Sequence, residues 1–110
     1  MWPRLRASVR SLRARALAPT LEALAALHQQ QAADYRQLEA LASLLAVLHP
    51  RAPFPPFRGW AVGPDFAVLL LREALTQRPA CVVALGSGVS TLVLGYALER
   101  TGGRLVSVEH

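Results

Sequence analysis

The stretch Val82-Val83-Ala84-Leu85-Gly86-Ser87-Gly88-Val89-Ser90-Thr91, continued by a helical segment and then by Leu105-Val106-Ser107-Val108-Glu109, decides how the chain reads. Cys81–Leu85 is a continuous apolar run between Pro79 and Gly86, as expected of a parallel strand covered on both faces. After the glycine turn, Ser90 or Thr91 is placed to cap a helix through about Arg100, with Gly102 as its C-terminal stop. Arg104–Val108 then forms a second strand. Parallel strands need a crossover, so these pieces make one right-handed βαβ unit.

The chemistry lies at the turn. Gly86 and Gly88 let backbone approach a ligand closely, and amide N–H groups at the start of the following helix favour a carboxylate or pyrophosphate. Glu109 follows Gly86 by 23 positions, close to the spacing of about 20 at which an acid binds ribose hydroxyls in a Rossmann-like nucleotide-binding half. A dinucleotide fingerprint wants a third glycine where the chain has Thr91, and a P-loop wants a lysine, which the chain lacks.

Working outward, 110 residues allow one domain at most, and a hydrophobic content of 53% argues for packing rather than disorder. Apolar runs fall well short of the roughly 18 residues of a membrane span, so a soluble, cytoplasmic protein is expected. Cys81 is the only cysteine, read as a buried free thiol, and the three histidines are too scattered for metal-ligand spacing. All 12 basic residues are arginine, and the net charge of +5 belongs to the first 20 residues: Arg4, Arg6, Arg10, Arg13 and Arg15 stand there without an acid.

In that leader Leu5, Val9, Leu12 and Ala16 recur at helical spacing. A solvated helix is the plain reading, with anionic lipid, nucleic acid or a transit peptide as alternatives. Pro19 punctuates, and Thr20 caps a long helix reaching about Leu48. Leu24, Leu27, Leu38, Leu41, Leu45 and Leu48 lie on its heptad seam, which Gln31 and Asp34 interrupt. That pattern favours packing on its own domain over a coiled coil. Five prolines between Pro50 and Pro64 exclude helix and interior strand, leaving Phe54, Phe57 and Trp60 either as a lid or as staples onto the core. Asp65 caps a helix to about Gln77, with Phe66, Leu69, Leu70 and Leu75 as its apolar face.

The Gly86-Ser87-Gly88-Val89-Ser90-Thr91 run, Glu109, and the upstream Pro56-Phe57-Arg58-Gly59-Trp60 and Gly63-Pro64-Asp65 segments together resemble class I S-adenosylmethionine-dependent methyltransferases over about residues 54 to 110. The resemblance implies that Gly86, Ser87 and Gly88 wrap the methionine part of the cofactor. Ser90 and Thr91 would lie near its carboxylate, Glu109 on the ribose hydroxyls, and His110 beside the adenine. Members usually carry an acid two positions before the first glycine, where this chain has Ala84. Losing that partner for the ammonium group is expected to weaken binding by ~1–3 kcal/mol. Gly63 stands where a serine is expected.

The expected architecture is therefore α/β: a Rossmann-like methyltransferase fold truncated after its first βαβ unit. Residues 1–50 form an N-terminal helical extension, 51–64 a Pro/aromatic-rich connector, and 65–110 a partial cofactor-binding domain. The expected function is the S-adenosylmethionine-binding part of a methyltransferase, inactive by itself, with no catalytic residue to nominate, no metal and an unassigned acceptor. The alternatives are an NAD-binding oxidoreductase fragment, for which Glu109 would suit the ribose, and a non-catalytic helical interaction module. Exposed sheet edges or the long helix would mediate self-association.

Overall fold

The computed structural model describes residues 2–109. Its elements in chain order are α1 (Trp2–Leu48), α2 (Pro64–Gln77), β1 (Cys81–Leu85), α3 (Val89–Thr101) and β2 (Arg104–Val108). Two compact units divide the chain, Met1–Tyr35 and Arg36–His110.

The first unit is helix alone, and α1 runs through Pro19 without a break. Punctuation at Pro19 and a cap at Thr20 are thus corrected. A proline forfeits one intrahelical hydrogen bond, but Leu17, Ala18, Leu21, Ala23 and Leu24 around it are among the strongest helix formers and carry the helix across. Its large apolar side chains, Leu24 and Leu27 included, are exposed.

In the second unit the end of α1 supplies Leu44, 0% exposed, and Leu48 to a core shared with Ala67, Leu71 and Ala74 of α2 and with Val89, Val93, Leu94 and Ala97 of α3. Packing on its own domain thus holds for these last turns. The inward stripe is buried Leu44 and Leu48 with half-buried Leu41, whereas Leu38 of the heptad seam is exposed. His49 takes a left-handed φ of 49° and its N–H donates to the Leu45 carbonyl at 3.2 Å, which ends α1 just before Pro50.

Helix α2 begins two positions earlier than capping by Asp65 predicts. Gly63 is its N-cap, Pro64 opens the first turn, and Asp65 lies inside it. Its buried face is Ala67, Leu71 and Ala74; of the expected face, Leu70 and Leu75 are half-buried against the core, while Phe66 and Leu69 are exposed. Ala67 and Ala74 on that face pack in the core shared with α3. Arg78 at φ 48° closes α2, and its N–H donates to the Ala74 carbonyl at 3.1 Å.

Strands β1 and β2 pair in parallel, Cys81 with Arg104 through Leu85 with Val108. Helix α3 packs on β2, with Leu105 against the core. The opposite face stays open: Cys81, Val83 and Val108 are exposed, and Leu85 is 88% exposed. β1 is therefore covered on one face only, and Cys81 is an exposed thiol, not a buried one.

These facts correct the expected fold class. Helix accounts for 69% of the structure, the described residues form one two-stranded parallel sheet, and this is not a Rossmann-like α/β fold. Such a fold needs an open sheet of several strands with helices on both faces. Here the local βαβ grammar is present without that layering. No helix among the described residues is long and apolar enough to cross a membrane.

Candidate functional site

Parallel pairing brings the carboxyl ends of β1 and β2 side by side, so the turn after Leu85 and the acid after Val108 meet. Gly86 adopts φ 92°, a conformation open to glycine and strained for other residues, with nothing within 4 Å of where a Cβ would sit. Its N–H donates to the Val108 carbonyl at 2.7 Å, extending the ladder one residue past the strand. The Ser107 hydroxyl donates to the Gly86 carbonyl at 2.8 Å, so both backbone groups of the turn glycine are held by β2.

The Ser87 hydroxyl donates to Glu109 Oε1, joining the turn directly to the acid. A carboxylate oxygen accepts more than one hydrogen bond and the other oxygen adds further capacity, so Glu109 retains room for ligand hydroxyls. Gly88 is the N-cap of α3, and its backbone N–H donates to Thr91 Oγ1 at 3.3 Å. Capping by Ser90 or Thr91 at its own position is corrected accordingly: the helix starts earlier, and Thr91 acts by reaching back. Gly88 also has nothing within 4 Å of a Cβ position, and its φ of 172° is ordinary extended backbone.

Of the sequence-derived candidates, the set Gly86, Ser87, Gly88, Thr91 and Glu109 gathers at the turn through separate hydrogen bonds: Ser87 with Glu109, Gly88 with Thr91, and Gly86 with Val108 and Ser107 of β2. Ser90 rides on the first turn of α3 with a half-buried side chain, outside that set, and His110 lies outside the described residues. Gly86, Ser87, Gly88 and Glu109 are exposed, so the site is an open surface at the strand ends. A depression of about 310 Å³ between Arg51, Leu92, Tyr96 and Leu105 touches only Thr91 of the set. Ser107 is the member that sequence reasoning missed. Its signal was the register, which pairs it with Ala84, two positions before Gly86.

The connector is tied down rather than poised as a lid. Phe54 stacks on Phe57 with centroids 5.9 Å apart and lies 6.0 Å from Tyr96 of α3, both partly buried, while Trp60 projects into solvent. Arg51 makes a bidentate pair with Glu99 at 2.8 and 2.9 Å, stands over the Tyr96 ring, and donates its backbone N–H to the Tyr96 hydroxyl at 3.0 Å. This pairing lowers the Glu99 carboxyl below its usual range and raises Arg51. At the start of α2, hydrogen bonding by the Gln37 side chain and the Phe66 N–H lowers Asp65 likewise. A Cβ on Gly63 would lie 2.9 Å from Asp65 Oδ1 and 3.4 Å from Gln37 Oε1. The glycine found where a serine was expected leaves room for this arrangement.

No family model matches the chain, and neither a curated protein nor a solved structure matches it.

Proposed function

We propose that the chain binds S-adenosylmethionine at the Gly86–Gly88 turn, as a cofactor-binding segment of methyltransferase type that is inactive by itself. The observation that carries this reading is the Ser87–Glu109 hydrogen bond, which sets a carboxylate beside two glycines whose side-chain space is open. Glu109 would take the ribose hydroxyls, and Gly86, Ser87 and Gly88 would lie along the methionine part. Thr91 and Ser90 would flank its carboxylate at the start of α3, where helix dipoles favour a negative group. When bound, the cofactor supplies an electrophilic methyl group on a sulfonium; this chain's own residues bind and orient it.

Thr91 also argues against a dinucleotide. It already engages the Gly88 N–H that a pyrophosphate would need, and its side chain fills the position of the fingerprint's third glycine. Ala84 offers no acid for the cofactor's ammonium group, so the expected affinity is modest. A cytoplasmic setting suits the reading, because the exposed Cys81 thiol stays reduced there.

The test is titration calorimetry of the full chain with S-adenosylmethionine, S-adenosylhomocysteine and NADH. Binding of the first two and not the third is expected. Glu109→Ala should abolish it, and so should Gly88→Val, whose side chain would enter the space left open above the turn. Absence of heat with both sulfur nucleosides, or unchanged affinity in both variants, overturns the assignment.

A further inference from the structure

We propose that the first turns of α1 are an in-plane docking helix for an anionic lipid surface. At 100° per residue, Trp2, Leu5, Val9, Leu12 and Ala16 fall within about 80° of arc. The four large ones stand free on the surface: Trp2 is 71% exposed, Leu5 55%, Val9 43% and Leu12 64%. Arg6, Arg10 and Arg13 line one side of that stripe, and Arg4 and Arg15 the other, with no acid in the first 20 residues.

An apolar stripe between two cationic rails is the arrangement of a helix lying at a membrane interface. The aliphatic stems of arginine run along the stripe while the guanidinium groups rise to headgroup phosphates, and Trp2 suits the same depth. Charge decides among occupants. In a self-associated pair the same stripe would set arginine against arginine with no local acid to relieve them. Nucleic acid would engage the guanidinium groups and leave four large apolar side chains in water.

The experiment uses the full chain carrying Trp60→Phe, so that Trp2 is the sole tryptophan fluorophore. It is mixed with vesicles of phosphatidylcholine or of equimolar phosphatidylcholine and phosphatidylglycerol, and followed by flotation and by Trp2 emission. Co-flotation and a blue shift are expected with the anionic vesicles only. Each arginine neutralised should weaken partition about fivefold, so Arg6→Gln with Arg13→Gln should lose about 25-fold. Leu5→Gln with Leu12→Gln should remove the blue shift while keeping the charge, and circular dichroism checks that both double variants remain helical. Equal partition onto the two vesicle types, or none onto either, overturns the proposal. So does tight binding of a single-stranded RNA that survives Leu5→Gln with Leu12→Gln in a protein that does not float, which would assign the arginines to nucleic acid.

Discussion

Gly103→Ala should destabilise the second unit far more than its sequence context suggests. Gly103 sits between the end of α3 and β2, where both strands begin, and a Cβ there would lie 2.5 Å from the Pro79 carbonyl oxygen and 2.6 Å from Leu98 Cδ2. The first contact is about 0.9 Å closer than the 3.4 Å at which ordinary packing begins. It is with backbone, which cannot rotate away. Leu98 is buried, and the neighbouring Ala80 carbonyl accepts the Arg104 N–H at 2.9 Å, so relief must come from shifting the strand entrance itself.

Overpacking of this kind costs ~1–3 kcal/mol. Urea unfolding followed at 222 nm should show a lower midpoint with an unchanged slope. Gly95→Ala supplies the opposite sign in the same unit. Its Cβ would meet Leu105 Cδ2 at 3.8 Å, ordinary contact, and alanine in a helix interior gains ~0.5–1 kcal/mol over glycine. If Gly103→Ala leaves the unfolding free energy within ~0.5 kcal/mol of the parent's, the size of an inconsequential surface change, then the close approach of β2's entrance to Pro79 is wrong.

Leu44→Ala should cost ~2–5 kcal/mol, whereas Leu24→Ala, exposed on the same helix, should stay within ~0.5 kcal/mol; equal losses in urea midpoints would restore the heptad seam as the buried face. Gly86→Ala should cost ~1–2 kcal/mol through its φ of 92°, despite the open space around it, while Gly88→Ala leaves stability nearly unchanged. Glu99 and Asp65 have depressed pKa values in the folded chain, so their contribution is complete above the unfolded carboxylate range. It fades as pH falls through the folded values, below about pH 5. Unfolding midpoints measured from pH 7 downward should fall, and Glu99→Gln should shallow that fall; an unchanged acid limb would show that the Arg51 pairing is not maintained in solution.

Much of the local structure was legible from residue order. The ends of α2, β1, α3 and β2 follow from Pro79, Gly86, Gly102 and the two apolar runs, because each is decided by one residue's backbone freedom or missing donor. The layering was not. A continuous apolar strand such as Cys81–Leu85 reads the same whether one face or both are covered, and only the structure shows Val83 and Leu85 open to solvent. The face choice of α2 was hidden for a related reason: Phe66 and Leu69 outweigh Ala67 and Ala74 in hydrophobicity, and residue order alone does not tell which side of the helix meets the core. Pro19 misled because a breaker is judged alone while a helix propagates through its neighbours. The meeting of Ser87 with Glu109 was legible in the sequence, since a parallel register that strand lengths already constrain brings the turn and the acid together.

Correcting the fold class leaves the geometry of the turn untouched, and the reason is physical. Every contact that shapes it is local to one βαβ segment: Gly86 to Val108, Ser107 to Gly86, Ser87 to Glu109, and Gly88 to Thr91. None requires a further strand. The register is fixed from below as well, where Gly103 lets β2 start against Pro79 and Ala80, so the positions of Ser107 and Glu109 follow from a glycine at the opposite end of the sheet. A one-residue slip of β2 would turn Ser107 to the other face and separate Glu109 from the turn. Gly103→Ala thus bears on the proposed cofactor site as well as on stability. The variant should bind S-adenosylmethionine more weakly than the parent even at urea-free conditions where it remains folded, and unimpaired affinity would mean that the strand entrance does not set the position of Glu109.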